Sequence, residues 1–327
     1  MNKRFDNIRI AGALLGTALL GPGVSSAAGF ALIEQGGSGM GNAYAGAAAS
    51  AEDASTIFFN PAGMGLLPQG QVAVAGHAVD VKADFSHTGC VFSPAGGCAM
   101  PVASANTFPT GATSSDAGDL LFIPNLYFSI PVGDRFAFGV GVNAPFGLKT
   151  EYDDPWVGRF QGLHSELTTI NVNPAVSFKV NERVFLGAGV NWQTADAELT
   201  NAVVLPTGLA FPPTVEGRAK VEADDDAWGW NVGALFLLGE DMRVGVSYRS
   251  KLDYSLEGTT TVTSPTGAVV AAASGPTTID ITFPDMASLS VVQNFGPKWQ
   301  LLGDVTWTHW SKVGTVYAIN STAPAGS

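Results

Sequence analysis

Charged residues and long apolar runs are both scarce in this sequence. Only 13% of the 327 residues are charged, against about 25% in an ordinary soluble domain, so part of the surface is expected to face something other than water. Beyond residue 28, no apolar run approaches the roughly 18 residues that a membrane helix needs; the longest is about Ala234 to Leu238. A helical membrane protein is therefore excluded.

Basic residues and cysteines are few as well. The 16 Lys and Arg are outnumbered by 28 Asp and Glu, which excludes nucleic acid as a partner because phosphate binding needs clustered cations. Cys90 and Cys98 flank a Gly/Pro-rich stretch and predict one loop disulfide; free thiols or a metal pair are the alternatives. No His or Cys partners complete a zinc set, so neither a metal nor a cofactor is expected.

The first 27 residues have the order of a secretory signal peptide. Lys3 and Arg4 precede an apolar run from Ile10 to Leu20, and small residues follow at 25–28. The apolar run is too short to span a bilayer, so residues 1–27 are predicted to be removed during export. The alternative is a retained N-terminal anchor helix.

Period-two alternation dominates the sequence after Pro68. In Arg243–Glu257, for example, one predicted face is apolar from Val244 through Tyr248 to Leu256, and the other is polar or small. Such alternation is typical of strands between two different environments. About nine strands are predicted, near 70–86, 119–131, 135–147, 166–180, 183–199, 217–238, 242–260, 278–295 and 299–313.

Long loops alternate with tight turns between these strands, and several predicted strands exceed ten residues. Both features are typical of an outer-membrane barrel, whereas a soluble β-sandwich, the alternative, has shorter strands. Trp and Tyr residues near the strand ends suit an interfacial girdle. We therefore predict an all-β fold, a transmembrane antiparallel β-barrel. Nine strands cannot close such a barrel, so further C-terminal strands are expected beyond this sequence.

Several motifs, in this order, resemble the FadL/TodX family of outer-membrane transporters for long-chain fatty acids and other hydrophobic compounds: "AGFALIEQGGSGMGNAYAG", "AEDASTIFFNPAGM", "VNAPFGLKTEYDDPWVGR", "DDAWGWNVGALF", "RVGVSYRS" and "DVTWTHWS". The resemblance implies a 14-stranded barrel whose lumen is plugged by an N-terminal hatch of short helices. Residues 28–68 would be the hatch, and 69–327 a partial barrel with about nine of the strands.

The resemblance implies passive uptake in the bacterial outer membrane. A fatty acid or hydrocarbon would enter between extracellular loops and leave sideways through a kinked strand, in a monomer surrounded by outer-membrane lipid and lipopolysaccharide. A general porin or a structural barrel is the alternative. A barrel lipase is less favoured, because His164 and Ser165 are adjacent and point to opposite faces of a strand; no catalytic residue is predicted.

Two motifs match the family's moving parts. Asn60, Pro61 and Ala62 fall on its hatch motif, and Pro61 should stop a short helix that begins near Ser50 or Glu52. The strand kink matches the stretch Pro145-Phe146-Gly147, where proline removes a ladder hydrogen bond and glycine permits a bend. Alternatively, Pro145 only ends a strand at its rim. Gly139 and Gly141 would leave room for the hatch.

Head-group contacts are less clearly indicated. Arg159, Arg249 and Lys251 are candidates, although each is also explained as a solvated or paired charge. Where family members carry a basic group near the end of the fifth strand, this sequence has Asp196 and Glu198. These carboxylates predict repulsion of a fatty acid and favour a neutral hydrocarbon.

Overall fold

A computed structural model describes residues 30–86, 91–92, 98–99, 112, 114–206, 214–314 and 318–320. Residues 1–31 form one unit and residues 32–327 another. The predicted signal peptide lies outside the described residues, as does Cys90 of the predicted disulfide.

Short helices occupy the segment before the first strand. We call residues 32–67 the N-terminal segment; it contains α1 (Ala47–Ser50), α2 (Thr56–Phe59) and the 3-10 helices Met40–Asn42 and Pro61–Leu66. The predicted stop at Asn60 is confirmed, but the predicted helix start near Ser50 is wrong. The left-handed conformation of Ala51, with φ at +47°, ends α1 at that point instead.

Seventeen strands follow within the described residues, and the ladders between the long ones are antiparallel. They are β1 (Gln71–Asp80), β2 (Asp84–Ser86), β3 (Val91–Phe92), β4 (Cys98–Ala99), β5 (Ser114–Asp116), β6 (Leu120–Val132), β7 (Phe136–Asn143), β8 (Gly147–Glu151), β9 (His164–Asn181), β10 (Val184–Pro206), β11 (Thr214–Leu238), β12 (Met242–Arg249), β13 (Leu252–Thr263), β14 (Gly275–Phe283), β15 (Met286–Phe295), β16 (Trp299–Thr308) and β17 (Ala318–Asn320). A further 3-10 helix spans Trp310–Lys312.

One large sheet holds thirteen of these strands, in the order β1-β6-β7-β9-β10-β11-β12-β15-β16 with β1 and β16 at its edges. Some neighbouring strands are collinear pieces. Both β7 and β8 pair with β9, and both β12 and β13 pair with β11. The ladder of hydrogen bonds is interrupted where one piece ends and the next begins. The described helices include none that could cross a membrane.

The two faces of the sheet differ in chemistry. The outer face exposes large apolar side chains, among them Phe122, Phe138, Trp228 and Trp230. We call the opposite face, against which the N-terminal segment packs, the inner face; it buries polar residues such as Asn173. Apolar residues outside and polar residues inside are the reverse of a soluble domain and are typical of a sheet that faces lipid.

The predicted unbroken apolar face of Arg243–Glu257 is wrong. Val246 lies on the outer face with 43% exposure, whereas Leu252, six residues further along, is only 5% exposed and lies on the inner face. Ser250 and Lys251, between β12 and β13, shift the alternation by one residue. The apolar side of β13 therefore turns inward.

The central hairpin is longer than predicted. β10 has 23 residues and β11 has 25, although about 9–11 residues of tilted strand cross a bilayer. Their ladder continues without interruption to Pro206 and Thr214. The upper part of this hairpin, near the predicted long loops, therefore projects beyond any membrane.

Candidate functional site

Asn60 joins the N-terminal segment to the sheet. It has an extended backbone, with φ at −161°, because Pro61 disfavours helical geometry in the residue before it. Its side-chain Nδ2 donates to the carbonyl of Ala48 at 2.7 Å and to that of Ala234, on β11, at 3.1 Å. Its Oδ1 accepts from the backbone N–H of Ala62 at 3.1 Å. Asn60 thereby ties α1, the following 3-10 helix and the sheet together.

Glycines let the N-terminal segment lie directly on the sheet. A Cβ on Gly187 would lie 2.1 Å from the nitrogen of Ala62, and a Cβ on Gly245 would lie 1.9 Å from the carbonyl oxygen of Ala48. Ser177 adds a hydrogen bond of 3.0 Å to the carbonyl of Ala62. At these points no side chain fits between the two backbones.

Above this contact lies a layer of buried amides, which we call the asparagine layer: Asn143, Asn171, Asn173, Asn191 and Asn231. Asn171 donates to Asn143 at 3.0 Å, and Asn231 Oδ1 accepts from Asn173 at 3.0 Å and from Asn191 at 3.2 Å. Asn171 Oδ1, Asn173 Oδ1 and Asn231 Nδ2 have no hydrogen-bond partner within the described residues. Buried polar atoms of this kind suit water or a ligand's polar group.

Arg249 meets the asparagine layer at the end of β12 and is buried. Its guanidinium donates to Asn191 Oδ1 and, at 3.2 Å, to the carbonyl of Phe58, and it lies 4.5 Å from the centre of the Phe58 ring. None of the ion pairs found among the described residues includes Arg249. This cation therefore caps the end of α2 without a neutralising carboxylate.

The kink predicted at Pro145 separates β7 from β8. The carbonyl oxygens it frees turn to the N-terminal segment: that of Ala144 accepts from Gln35 Nε2 at 2.8 Å, and that of Pro145 accepts from the backbone N–H of Leu32 at 2.9 Å. The alternative that Pro145 only ends a strand at its rim is wrong, since β8 continues beside β9.

Thr169 on β9 completes the kink. Its hydroxyl accepts from the Phe146 N–H at 3.2 Å and donates to the Phe146 carbonyl at 2.6 Å. A side chain thus replaces the ladder where the register between β9 and the kinked strand shifts by one residue.

On the side away from β9, the kinked strand has no ladder with β6 among the described strands. Pairing of β6 with β7 ends at Leu126 and Val142, and within the described strands residues 120–125 pair with none of 143–148. We call this the first break. It is bounded above by an ion pair of 2.6 Å between Lys149 and Asp119. The first break is therefore a local opening of the ladder, closed from inside by the N-terminal segment.

Toward the predicted long loops the inner face becomes apolar. We call the residues there the apolar layer: Phe146, Leu252, Tyr254, Leu256, Ile279 and Phe283. The ring of Phe283 lies 4.7 Å from that of Phe146 and 4.9 Å from that of Tyr254. The layer adjoins the first break through Phe146. The sequence analysis did not predict the apolar layer, because its only sign in the sequence is the one-residue shift of the alternation at Ser250.

The other two candidate head-group residues are neutralised. Buried Arg159 makes hydrogen bonds of 2.9 to 3.0 Å to both carboxylate oxygens of Glu216, which also binds Arg218 at 2.6 Å. Burial acts to raise the pKa of Glu216, but the two guanidinium groups outweigh it and lower that pKa. Lys251 pairs with Asp253 at 2.7 Å at an exposed position. Of the three, only Arg249 has no ion-pair partner among the described residues.

The predicted carboxylate repulsion is not supported. Asp196 is exposed on the outer face, where it lies opposite Asp224, while its neighbour Ala195 is fully buried on the inner face. Glu198, on the same side as Asp196, pairs with Lys220 at 3.1 Å. Neither carboxylate faces the inner side, so neither disfavours an anionic ligand there.

The comparisons with known proteins agree with this geometry. The family model described as "Outer membrane protein transport protein (OMPP1/FadL/TodX)" matches residues 18–324. The chain belongs to this family. Outer membrane protein P1 of Haemophilus influenzae is 33% identical over 92% of this chain and 70% of its own. The long-chain fatty acid transport protein of Escherichia coli O157:H7 is 26% identical over 87% of this chain and 67% of its own.

Solved structures share the fold of this OMPP1/FadL/TodX family member. A Pseudomonas aeruginosa FadL homologue superposes with a TM-score of 0.78 at 22% identity, covering 90% of this chain and 73% of its own. The Ralstonia pickettii toluene transporter TbuX gives a TM-score of 0.62 at 19% identity, with 84% and 72% covered. The family and its named outer membrane proteins place this chain in the bacterial outer membrane.

Proposed function

We propose that this chain is an outer-membrane channel for the passive uptake of hydrophobic compounds, either long-chain fatty acids or aromatic hydrocarbons. Residues 28–68 act as the hatch, and residues 69–327 contribute to the barrel around it. The relatives named for fatty acid and toluene transport support this class of ligand. The protein has no catalytic role in this proposal and works as a monomer among outer-membrane lipids.

The first break carries the proposal. It joins the apolar layer, through Phe146, to an outer face that exposes Leu120 by 63% and Phe122 by 70%. Leaving sideways spares an apolar molecule a second passage through water, which would cost about 25 cal/mol for each Å² of apolar surface. Movement straight down is opposed by the asparagine layer, since buried amides lose hydrogen bonds to an apolar molecule.

An open general porin is the weaker reading. The N-terminal segment packs against β9, β10 and β11 and buries Ile57 and Met64 completely. A porin needs an open, polar channel at this position. The segment must move or be bypassed before anything large crosses.

Arg249 bears on the choice between the two ligand classes. A buried cation without a carboxylate partner suits a fatty-acid head group, but its contacts with Phe58 and Asn191 equally explain it as a support for the hatch. Uptake of labelled oleate and of labelled toluene should therefore be measured in the same cells. Failure of both compounds would overturn the transport proposal.

The first break is tested by Pro145→Ala, with Pro174→Ala as the matched control. Pro174 is an exposed proline at which β9 continues on both sides, although the β9–β10 ladder omits it. Restoring an N–H at position 145 should let the ladder close and slow uptake of any transported compound, whereas Pro174→Ala should leave uptake unchanged. Equal uptake by the two variants would contradict a lateral exit at the first break.

The hatch motif is tested by Pro61→Ala. An alanine here permits α2 to continue through Asn60 and so disturbs the three hydrogen bonds of the Asn60 side chain. We expect altered uptake with the protein still folded, as judged by its tryptophan fluorescence. Normal uptake would count against a gating role for this motif.

A further inference from the structure

The sheet contains a second interruption, on the far side of the apolar layer from the first. β11 pairs with β12 as far as Asn231 and Arg249, and with β13 only from Asp224 and Glu257 onward. Within the described range 214–314, residues 225–230 and 250–256 have no ladder pairs with each other. We call this the second break.

Side chains close the second break in place of the ladder. Ser250 accepts from the Trp230 N–H through its hydroxyl and donates its own N–H to the Trp230 carbonyl, both at 2.9 Å. At the other end, Asp225 Oδ2 accepts from the N–H of Ser255 at 2.8 Å. A sheet in a membrane normally satisfies its backbone groups by the ladder itself. Here the serine and aspartate side chains replace most of that ladder, and one backbone hydrogen bond, from Ser250 to Trp230, remains.

Leu252 fills the space between these two closures. A Cβ on Gly229 would lie only 2.7 Å from Leu252 Cδ2, so the leucine packs directly on the backbone of β11. Leu252 belongs to the apolar layer on the inner side, and Trp228, 69% exposed, flanks the same stretch on the outer side. Apolar surface therefore continues from the inside of the sheet to the outside.

A cleft of about 450 Å³ adjoins the second break, a volume within the range of small-molecule pockets. Tyr254 lines it from the inner face of β13, and its outer side is polar, with Asp225, Asp253, Asp280 and Lys312 among the lining residues. The cleft thus lies at the interruption and not on an intact part of the sheet.

Both breaks lie where the outer face changes from apolar to charged. Beside the first, Leu120 and Phe122 adjoin the Lys149–Asp119 ion pair; beside the second, Trp228 adjoins the exposed carboxylates of Asp224 and Asp226. Tryptophan followed by charge marks the boundary between hydrocarbon and head groups. The rings of Phe146, Phe283 and Tyr254 connect the two breaks through the inside.

We propose that the second break is a second lateral passage, through which apolar compounds dissolved in the outer leaflet enter the apolar layer, with Leu252 as its closing side chain. This inference rests on the proposed function and adds a route to it. Compounds that have already partitioned into the membrane would not need to return to water before reaching the first break.

Photo-labelling tests this proposal with an alkylbenzene that carries a diazirine, dissolved in lipid vesicles containing the full protein. Labelled residues are mapped by mass spectrometry after illumination. Lipid-exposed side chains such as Phe122 and Trp228 will be labelled in any case, so the informative labels are those on the inner face: we expect them on Gly229 and Leu252 as well as on Phe146. Labels at the first break alone would overturn the second passage and leave the proposed function standing, while labels at neither would count against both.

Variants of Leu252 sharpen the test. Leu252→Ala should increase labelling around Gly229, and Leu252→Trp should abolish it, with labelling at Phe122 unchanged in both. Ile279→Ala is the matched control, because Ile279 is equally buried in the apolar layer but lies on β14, away from the interruption. If Ile279→Ala raises labelling around Gly229 as much as Leu252→Ala does, Leu252 has no specific closing role and the proposal fails. The alanine variant keeps the test decisive if the tryptophan variant does not fold.

Discussion

The inner face near the short turns and the inner face near the long loops are built on different principles. Near the turns, glycine and asparagine bring the N-terminal segment into direct backbone contact with the sheet, as at Gly187 and Asn60. Near the loops, aromatic and aliphatic side chains such as Phe283 and Leu256 fill the same face.

The two regions of the inner face therefore suit different tasks: one fixes the N-terminal segment in place, and the other can exchange its contacts with a ligand. Hydrogen bonds and close backbone contacts are directional and weaken steeply when the groups move, so the lower inner face suits a segment held in a single position. Apolar contacts are non-directional and can be replaced by those of a ligand, so the upper inner face suits a molecule in transit. Substitutions in the two regions should therefore affect stability and hydrogen exchange differently.

The largest effect is expected where the backbones touch. Gly245→Ala places a Cβ 1.9 Å from the Ala48 carbonyl oxygen, and backbone cannot move aside as a side chain can. We expect a loss of about 3 kcal/mol in the free energy of unfolding in detergent, at the upper end for overpacking. Gly303→Ala on β16, where nothing lies within 4 Å, is the control. Similar unfolding curves for the two variants would show that the N-terminal segment does not rest on β12.

Asn60→Ala should have the next largest effect. It leaves the carbonyls of Ala48 and Ala234 and the N–H of Ala62 without their side-chain partner, at about 2 kcal/mol in total for buried groups that relax in part. Hydrogen exchange should rise in residues 47–66 and stay unchanged in the apolar layer. Asn42→Ala in the same segment is the control, since Asn42 Oδ1 already has no partner among the described residues. Increased exchange throughout the sheet would mean that the two regions are not independent.

Sequence reasoning found the parts of this architecture that local rules determine. Pro61 dictates the helix stop at Asn60, and the small size of Gly139 correctly predicted room for the N-terminal segment, whose Ile57 and Met64 would lie 2.6 and 2.7 Å from a Cβ there. Alternation placed the long strands, because one face must suit lipid and the other must not.

Features that depend on distant partners were not predictable. The shift at Ser250 follows from the bend of β12 and β13 against β11, and alternation alone does not locate a one-residue shift. Above the membrane, the outer face no longer has to be apolar, so the pattern around Asp196 did not reveal which face it occupies. Arg159 and Glu216 are 57 residues apart and meet only in the folded chain.

Arg249 and Lys251, at the bend between β12 and β13, allow a buried cation to be compared with an exposed one. Arg249→Met removes the hydrogen bonds to Phe58 and Asn191 and the contact with the Phe58 ring, together about 1 to 2 kcal/mol. Lys251→Met removes only an exposed ion pair with Asp253, which contributes less than about 1 kcal/mol. Unfolding in detergent measures both. If Arg249 also binds a carboxylate, its variant should slow oleate uptake more than toluene uptake; equal slowing would show that Arg249 only supports the N-terminal segment.

The smallest effect is expected at the rim, where a charged contact depends on pH. The pKa of Glu216 is lowered in the folded chain, so the ionised form binds Arg159 and stabilises the rim at pH values above the unfolded-state pKa of about 4.3. This stabilisation is lost as the pH falls through the lower, folded value. Acidification below about pH 4 should therefore raise hydrogen exchange in residues 152–163 before it affects residues 47–66. Glu216→Gln should show the raised exchange already at neutral pH, whereas Glu222→Gln, which breaks only an exposed pair with Lys220, should not. Simultaneous loosening of both segments on acidification would mean that the rim and the N-terminal segment unfold as one unit, and would remove the distinction between the two ends of the inner face.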